Sequence, residues 1–175
     1  PLVQIDGFFE TYDSENSALA KAALDHLGIP SDEAIKTRPP CRIEEVFTEK
    51  YPFPCILDVA HNPDGLIALF HSLKTLRPGK TFPCIVGMSS SKDLESCLKI
   101  LAENTEHLFL VEANNPRSAK VEVLAALLEK MGKICFTRAY SIENALEKIH
   151  SETLITGTFF LMDEEKKALG IRTPS

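Results

Sequence analysis

Two side chains that could do chemistry, Asp58 and His61, stand three residues apart just after the apolar run Cys55–Leu57. The run predicts a short buried strand, and Asn62-Pro63 is a strong helix-start pair, so the segment predicts a strand followed at once by a helix. In open α/β sheets, ligands collect at the carboxyl ends of strands, where helix N-termini present free N–H groups. Asp58 and His61 would then share one loop at that edge, where the carboxylate could bind a ribose or hold a nearby cation. Alternatively, Asp58 only caps the helix and His61 faces solvent.

A second candidate is Gly157, which interrupts a run of β-branched and aromatic residues between Thr156 and Thr158. A glycine inside a strand often marks the close approach of a ligand or of another backbone segment, and the two threonines would place hydroxyls there. A simple bulge explains the glycine equally well.

Three further segments carry weaker signals. Asn115-Pro116-Arg117 precedes a helix, and its arginine could bind a carboxylate through two hydrogen bonds or simply lie in a capping loop. Ser89–Asp93 offers hydroxyls and a helix start to an anion, although the same residues are ordinary caps. Gly79-Lys80-Thr81 looks like the end of a phosphate-binding loop, but the position that should hold the first glycine is Lys74, so the motif fails.

The elements that must position these residues alternate from Cys41 onward. Amphipathic helical segments follow Asn62, Lys92, Arg117 and Ser141. The predicted strands are Ile43–Phe47, Cys55–Leu57, Phe82–Val86, His107–Val111, Ile134–Phe136 and Thr153–Met162. This alternation is typical of a mainly parallel sheet covered on both faces. The sequence therefore predicts a Rossmann-like α/β fold, doubly wound, with a mainly parallel, mixed sheet of about six strands.

The first forty residues differ in character and look like a helical appendage. Ser14 or Asp13 would cap a helix from about Glu15 to Leu27, and a shorter helix would begin after Ser31 and end before Pro39-Pro40. The apolar residues expected on the buried side of the first helix are Ala18, Leu19, Ala22, Ala23 and Leu27. The linker Arg38-Pro39-Pro40 is the predicted boundary between residues 1–40 and 41–175.

Composition excludes several classes of function. The 175 residues carry a formal net charge of −6 with scattered basic residues, so a dedicated nucleic-acid binder is not expected. Because the chain has neither a long apolar run nor a signal-peptide pattern, we expect a cytoplasmic protein without a membrane span. We also expect a monomer. The five cysteines form no CxxC pair, which favours buried free thiols and no metal site. An N-terminal Pro1 suggests a fragment.

Several motifs together resemble the C-terminal domain of the folylpolyglutamate synthase and dihydrofolate synthase family, relatives of the Mur ligases. The signature is Leu57-Asp58-Val59-Ala60-His61-Asn62-Pro63. Asn16, in its Ala/Leu-rich helix, resembles the family's Asn at the end of the central ATPase domain. Further similarities, in the same order as in the family, are Arg42-Ile43-Glu44, Gly87-Met88 with Lys92-Asp93, Asn115-Pro116-Arg117 and Ile155-Thr156-Gly157-Thr158.

The resemblance implies an ATP- and Mg²⁺-dependent ligase that joins L-glutamate to folate or dihydropteroate through an acyl phosphate. It implies that residues 1–40 end the central ATPase domain and that 41–175 form the C-terminal domain, with the N-terminal ATPase domain as partner and main holder of ATP and Mg²⁺. The counterparts of Asn16, Arg42 and Asp58 contact ATP, and those of His61 and Thr158 help to place glutamate, with Asp58 and His61 as the candidate catalytic pair. The fragment alone is expected to be inactive.

The sequence departs from the family pattern at two places. Tyr12-Asp13 replaces a His-Gln pair, and Cys41 replaces the glycine before the arginine. Two other hypotheses about function stay open. One is a Mur-type ligase domain that adds an amino acid to a cell-wall precursor, and the other is a non-catalytic α/β module that binds a nucleotide or a partner protein.

Overall fold

A computed structural model of the chain describes residues 5, 7–30, 39–132 and 134–171. The strands in this part of the chain are β1 (Glu44–Val46), β2 (Cys55–Leu57), β3 (Pro83–Val86), β4 (His107–Leu110), β5 (Phe136–Arg138) and β6 (Thr153–Thr156). The α-helices are α1 (Tyr12–His26), α2 (Pro63–Leu76), α3 (Leu94–Asn104), α4 (Val121–Met131), α5 (Ile142–Leu146) and α6 (Met162–Leu169), and a 3-10 turn spans Phe159–Leu161.

The six strands form one mixed sheet in the order β1-β2-β6-β3-β4-β5. Only β1 runs antiparallel to its neighbour among these strands. Strand β6 lies between β2 and β3, so that Leu154 pairs with Ile56 on one side and with Cys84 on the other. The predicted doubly wound, mainly parallel sheet is confirmed. As a result, the loops that follow β2, β3 and β6 are neighbours at one edge.

Apolar side chains cover both faces of the sheet. Alternate residues of β2 point to opposite sides, so Ile56 packs under α2, α3 and α4, whereas Leu57 packs with α5 and α6. Four cysteines are buried in these two cores and Cys135 is exposed, and all five are free thiols. Because both faces of the sheet are buried, its central strands consist of continuous runs of apolar residues.

The β2–α2 connection folds as its sequence predicts. Asn62 caps α2 by accepting a 2.7 Å hydrogen bond from the Gly65 N–H, and Pro63 occupies the first turn, where its missing N–H costs nothing. The helix then buries its apolar stripe of Leu66, Leu69, Phe70 and Leu73 against the sheet. This connection fixes the positions of Asp58 and His61.

The end of the chain differs from the prediction of one long strand over Thr153–Met162. Strand β6 stops at Thr156, because Gly157 has a φ of +116° and turns the chain out of the extended conformation. Thr158 then caps the 3-10 turn by accepting a hydrogen bond from the Phe160 N–H, and α6 follows. The prediction missed α6 entirely, since aromatic residues in the run favour a strand.

The N-terminal helix also differs from its prediction. Helix α1 begins at Tyr12 with Thr11 as its cap, in place of Ser14 or Asp13. Its predicted buried side is wrong, because Leu19 and Leu27 are 45% and 67% exposed. The helix predicted after Ser31 and the Arg38 end of the linker lie outside the described residues.

The fifth strand is Phe136–Arg138, two residues later than predicted. The segment after Ser141 forms helix α5, which ends at Leu146, and Ile149 is buried in the loop beyond it.

Candidate functional site

A cleft of about 590 Å³ lies between the start of α1, the start of α2 and the turn before β1. Two of the predicted nucleotide contacts, Asn16 and Arg42, line it together. Tyr12, Ala60 and Gly65 contribute further lining, the last two from the loop and helix that follow Asp58. The structure therefore gathers residues from three separate stretches of sequence around one concave surface.

Asp58 lies behind this cleft and is only 2% exposed. Its Oδ2 atom accepts hydrogen bonds from the Tyr12 hydroxyl at 2.5 Å and from the Ile43 N–H at 3.0 Å, and its Oδ1 atom accepts one from the Ala60 N–H at 2.8 Å. Asp58 thereby ties α1, the turn before β1 and its own loop together. In this conformation its carboxylate is occupied by protein donors, which favours a positioning role.

Burial changes the pKa of both members of the Tyr12–Asp58 pair. Burial raises the pKa of the Asp58 carboxyl despite hydrogen bonds from Tyr12, Ala60 and Ile43 and the nearby charge of Arg42, which all act to lower it. Burial and the neighbouring Asp58 charge also raise the pKa of the Tyr12 hydroxyl. The phenol therefore stays protonated at neutral pH and donates to the carboxyl group.

Arg42 projects from a turn whose two flanking residues are both left-handed. Cys41 has a φ of +55° and Ile43 a φ of +47°. The Arg42 guanidinium carbon lies 5.9 Å from the centre of the Tyr12 ring and 6.0 Å from that of Phe159. Both distances are in the range of cation–π contacts, so two aromatic rings flank a permanent positive charge at the edge of the cleft.

His61 also contacts Phe159. The two ring centres are 5.6 Å apart, and the His61 Nδ1 atom is 2.8 Å from the Val59 carbonyl oxygen. If Nδ1 carries the proton and donates to that carbonyl, Nε2 is free to accept a hydrogen bond. Asp58, Tyr12, Arg42, Phe159 and His61 thus form one chain of contacts.

The remaining predicted residues have different environments. Thr158 is buried, and its hydroxyl oxygen accepts from the Phe160 N–H, so the side chain shapes the segment that carries Phe159. Arg117 is exposed and lies 4.7 Å from the Phe160 ring centre. Ser89–Asp93 joins the Arg117 loop through the Ser90 hydroxyl, which donates to the Arg117 carbonyl oxygen.

Sequence reasoning missed two important contributors. Tyr12 counted only as a departure from the family pattern, although its hydroxyl binds Asp58 directly. Glu165 lies beyond the last element predicted from the sequence, yet α6 buries it to 2% exposure and its Oε1 atom accepts a 3.0 Å hydrogen bond from the Cys41 thiol. An acidic residue in the amphipathic segment Met162–Leu169 gave no signal that it faces inward.

Glu165 makes the stability of the fold depend on pH. Burial raises the pKa of its carboxyl to about 7 from an ordinary value near 4.5, and the charges of Glu44 and Asp58 act in the same direction against Lys166 and the Cys41 hydrogen bond. The folded state then keeps a proton that the unfolded state has released, so this stabilisation is complete below pH 4.5 and is lost as the pH rises through 7.

We expect the free energy of unfolding to fall by about 2 kcal/mol between roughly pH 5 and 8 because of Glu165 alone. Urea unfolding of wild type and Glu165→Gln across this range measures the effect, which the variant should lack. His107 acts with the opposite sign, since burial lowers its pKa, but it is present in both proteins and cancels in the comparison. Equal pH dependence in the two proteins would contradict the prediction.

The described residues meet the requirements neither of a metal site nor of a membrane-spanning helix. No group of three or more His, Cys, Asp or Glu side chains there could hold a metal ion. None of the helices formed by these residues has the length and apolar character needed to cross a bilayer.

Comparison with known proteins decides the family. Residues 42–157 match the family described as Mur ligase, glutamate ligase domain, which is well over half of the chain. The chain belongs to this Mur ligase family. The resemblance to folylpolyglutamate synthases drawn from the sequence motifs is confirmed.

Individual relatives of this Mur ligase domain are folate enzymes. The dihydrofolate synthase/folylpolyglutamate synthase of Buchnera aphidicola is 23% identical over 158 residues, which are 85% of this chain and 37% of the relative. Folylpolyglutamate synthase from Thermotoga maritima is 26% identical with a TM-score of 0.71, covering 89% of this chain and 38% of its own. The bifunctional synthase of Yersinia pestis, complexed with AMPPNP and Mn ion, is 27% identical with a TM-score of 0.69, covering 89% and 39%. The chain therefore spans less than half the length of these relatives.

Proposed function

We propose that the chain is the C-terminal domain of an ATP-dependent ligase that joins L-glutamate to folate or dihydropteroate. The observation that carries the proposal is the cleft in which Asn16 and Arg42 meet beside the Asp58–His61 loop, in a chain of the Mur ligase family. A phosphate-rich ligand fits this site, because Arg42 supplies a permanent cation and Asn16 an amide that can donate and accept hydrogen bonds.

The partner in this proposal is an N-terminal ATPase domain of the same protein, with residues 1–40 as the end of the central domain and 41–175 as the C-terminal domain. Apolar side chains around α1 are exposed where such a domain would pack, namely Phe8 (81%), Leu27 (67%) and Ile29 (48%). The relatives' greater length supports the same arrangement. The missing domain would hold Mg²⁺ and most of the ATP, so this chain alone is expected to be inactive.

The reaction in this proposal has two steps. A carboxylate oxygen of the folate takes the terminal phosphoryl group of ATP, ADP leaves, and the glutamate nitrogen then attacks the acyl carbon as phosphate leaves. Arg42 would stabilise the phosphate charge, and His61 would orient glutamate through its free ring nitrogen. Thr158 would hold the segment that carries Phe159, which contacts both side chains. Closure of the two domains would exclude water from the hydrolysable intermediate.

Substitution of Arg42 tests the nucleotide part of the proposal. In the full-length protein, Arg42→Ala is expected to raise the KM for ATP about 10- to 100-fold, because a charge-assisted contact to phosphate contributes about 1.5–3 kcal/mol. ATP-dependent glutamate addition to dihydropteroate and to tetrahydrofolate is the assay. Arg138→Ala is the matched control, since Arg138 is an exposed arginine paired with Glu129. An unchanged KM in Arg42→Ala would refute the assignment.

Substitution of His61 tests the glutamate part separately. His61→Ala is expected to raise the KM for glutamate about tenfold, the effect of one lost hydrogen bond to a charged group, with the KM for ATP nearly unchanged. His150→Ala provides the control, because His150 is exposed at the opposite edge of the sheet, just before β6. If both KM values rise together in His61→Ala, the residue does not act on glutamate.

A further inference from the structure

The turn that carries Arg42 has an unfavourable backbone that other contacts must stabilise. Cys41 and Ile43, on either side of Arg42, are the only non-glycine residues with positive φ in the described part of the chain. A left-handed backbone crowds the side chain of any residue other than glycine, so such residues persist only where their surroundings fix them. Here the pair sits directly beside the cleft.

Carboxylates fix both left-handed residues. The Ile43 N–H donates to Asp58, and the Cys41 N–H donates to Glu44 Oε2 at 2.8 Å. The Cys41 carbonyl oxygen accepts a hydrogen bond from the Val59 N–H at 3.1 Å, which joins the turn to the Asp58–His61 loop. The Cys41 side chain makes the remaining contact, which is the 3.0 Å hydrogen bond from its thiol to Glu165.

The Cys41–Glu165 contact is built into the interior. Cys41 has no exposed surface and Glu165 is 2% exposed, so neither group can turn to water without moving the turn or α6. Burial together with the Glu165 carboxyl raises the pKa of the Cys41 thiol, which therefore remains a protonated donor. A carboxyl group buried in an apolar core is retained only where a partner satisfies it, and Cys41 is that partner.

We infer that Cys41 and Glu165 are positioning residues for Arg42: the buried thiol–carboxyl hydrogen bond anchors the left-handed turn to α6 and holds the guanidinium between Tyr12 and Phe159. A glycine at position 41 would adopt the same φ without strain but would lose the anchor. The link to nucleotide binding rests on the proposed function, whereas the anchoring of the turn does not.

Amide hydrogen exchange tests the anchoring without any ligand. In Cys41→Ala and Glu165→Ala, exchange of the Ile43 and Val59 amides is expected to accelerate by at least about tenfold, because local opening of the turn becomes easier. Cys41→Ser keeps a donor and should restore most of the protection. The amides of Val111 and Ala139, which donate to β3 and β4 on the far side of the sheet, should keep wild-type rates.

Two results would overturn the inference. One is unchanged exchange at Ile43 and Val59 in folded Cys41→Ala, and the other is an equal acceleration at all four amides, which indicates only a less stable fold. Cys41→Ala removes a single sulfur atom and keeps the test usable if Glu165→Ala does not fold.

Kinetics of the full-length protein then connect the anchor to ATP. Cys41→Ala is expected to raise the KM for ATP about three- to tenfold with kcat less affected, and Cys41→Ser to reverse the change. Faster exchange without any change in the KM for ATP would keep the anchoring of the turn but reject its role in positioning Arg42 for ATP. Arg42→Ala tests separately whether Arg42 contacts the nucleotide.

Discussion

Replacing Gly157 with alanine is expected to lower the free energy of unfolding by about 4 kcal/mol, from left-handed strain and forced movement of neighbouring atoms together. At a φ of +116° an alanine is strained, and its Cβ atom would lie 2.4 Å from the Gly87 carbonyl oxygen. That oxygen belongs to backbone at the end of β3 and cannot rotate away as a flexible side chain would. Chemical denaturation of the purified chain measures the loss.

Gly79→Ala is the matched control for this prediction. Gly79 also has a positive φ, of +73°, but no atom lies within 4 Å of an added Cβ. Its substitution should cost only about 1 kcal/mol, the strain of the backbone alone. Equal losses of unfolding free energy at Gly79 and Gly157 would show that the close approach of Gly157 to Gly87 does not affect stability.

The close approach at Gly157 matters because it sets the course of the segment that carries Phe159. Without a side chain at this position, the segment after β6 passes against Gly87 and places Thr158 to cap the turn that carries Phe159. Phe159 in turn contacts both His61 and Arg42. The sequence-based expectation that Gly157 permits close approach of another backbone is thus correct, and the alternative of a bulge is not needed.

Predictions from sequence succeeded where short-range signals agree with tertiary structure. The β2–α2 connection is such a case, since three buried residues, an Asn cap and a Pro at the first turn all indicate the same boundary. Strand count and sheet type followed from the alternation of apolar runs and amphipathic helices. These features depend on residues close together in the chain.

Predictions failed where distant residues decide the outcome. The burial of Glu165 depends on Cys41, 124 positions away, and the role of Tyr12 depends on Asp58, 46 positions away. Helix α1 shows the converse, because its alanine- and leucine-rich face indicated burial while no described element covers Leu19 or Leu27. A pattern in the sequence states which face is apolar, but not what packs on it.

Loss of the Asp58 carboxylate is expected to have the other large effect. Asp58→Ala leaves the Tyr12 hydroxyl and the N–H groups of Ile43 and Ala60 without their acceptor, which should lower the free energy of unfolding by about 4 kcal/mol, since each unsatisfied buried donor costs about 1–3 kcal/mol and solvent can reach part of the site. In the full-length protein, the ligase activity proposed above should fall at least about 100-fold as the Arg42 turn loosens. Asp64→Ala, an exposed acid on α2, is the control and should change both by little.

Two further variants show how much of this loss of stability comes from the hydrogen bond between Tyr12 and Asp58. Asp58→Asn keeps one oxygen for the Ala60 N–H, whereas the Ile43 N–H and the Tyr12 hydroxyl proton both lose their acceptor. Because the Tyr12 oxygen can accept from the new amide in exchange, the cost should be about 2 kcal/mol. Tyr12→Phe combined with Asp58→Ala should be no less stable than Asp58→Ala alone, because the phenol then has no acceptor to lose. If the losses of unfolding free energy in the two single variants instead add up fully in the double variant, Tyr12 and Asp58 stabilise the protein independently. Their hydrogen bond would then not be what joins α1 to the sheet.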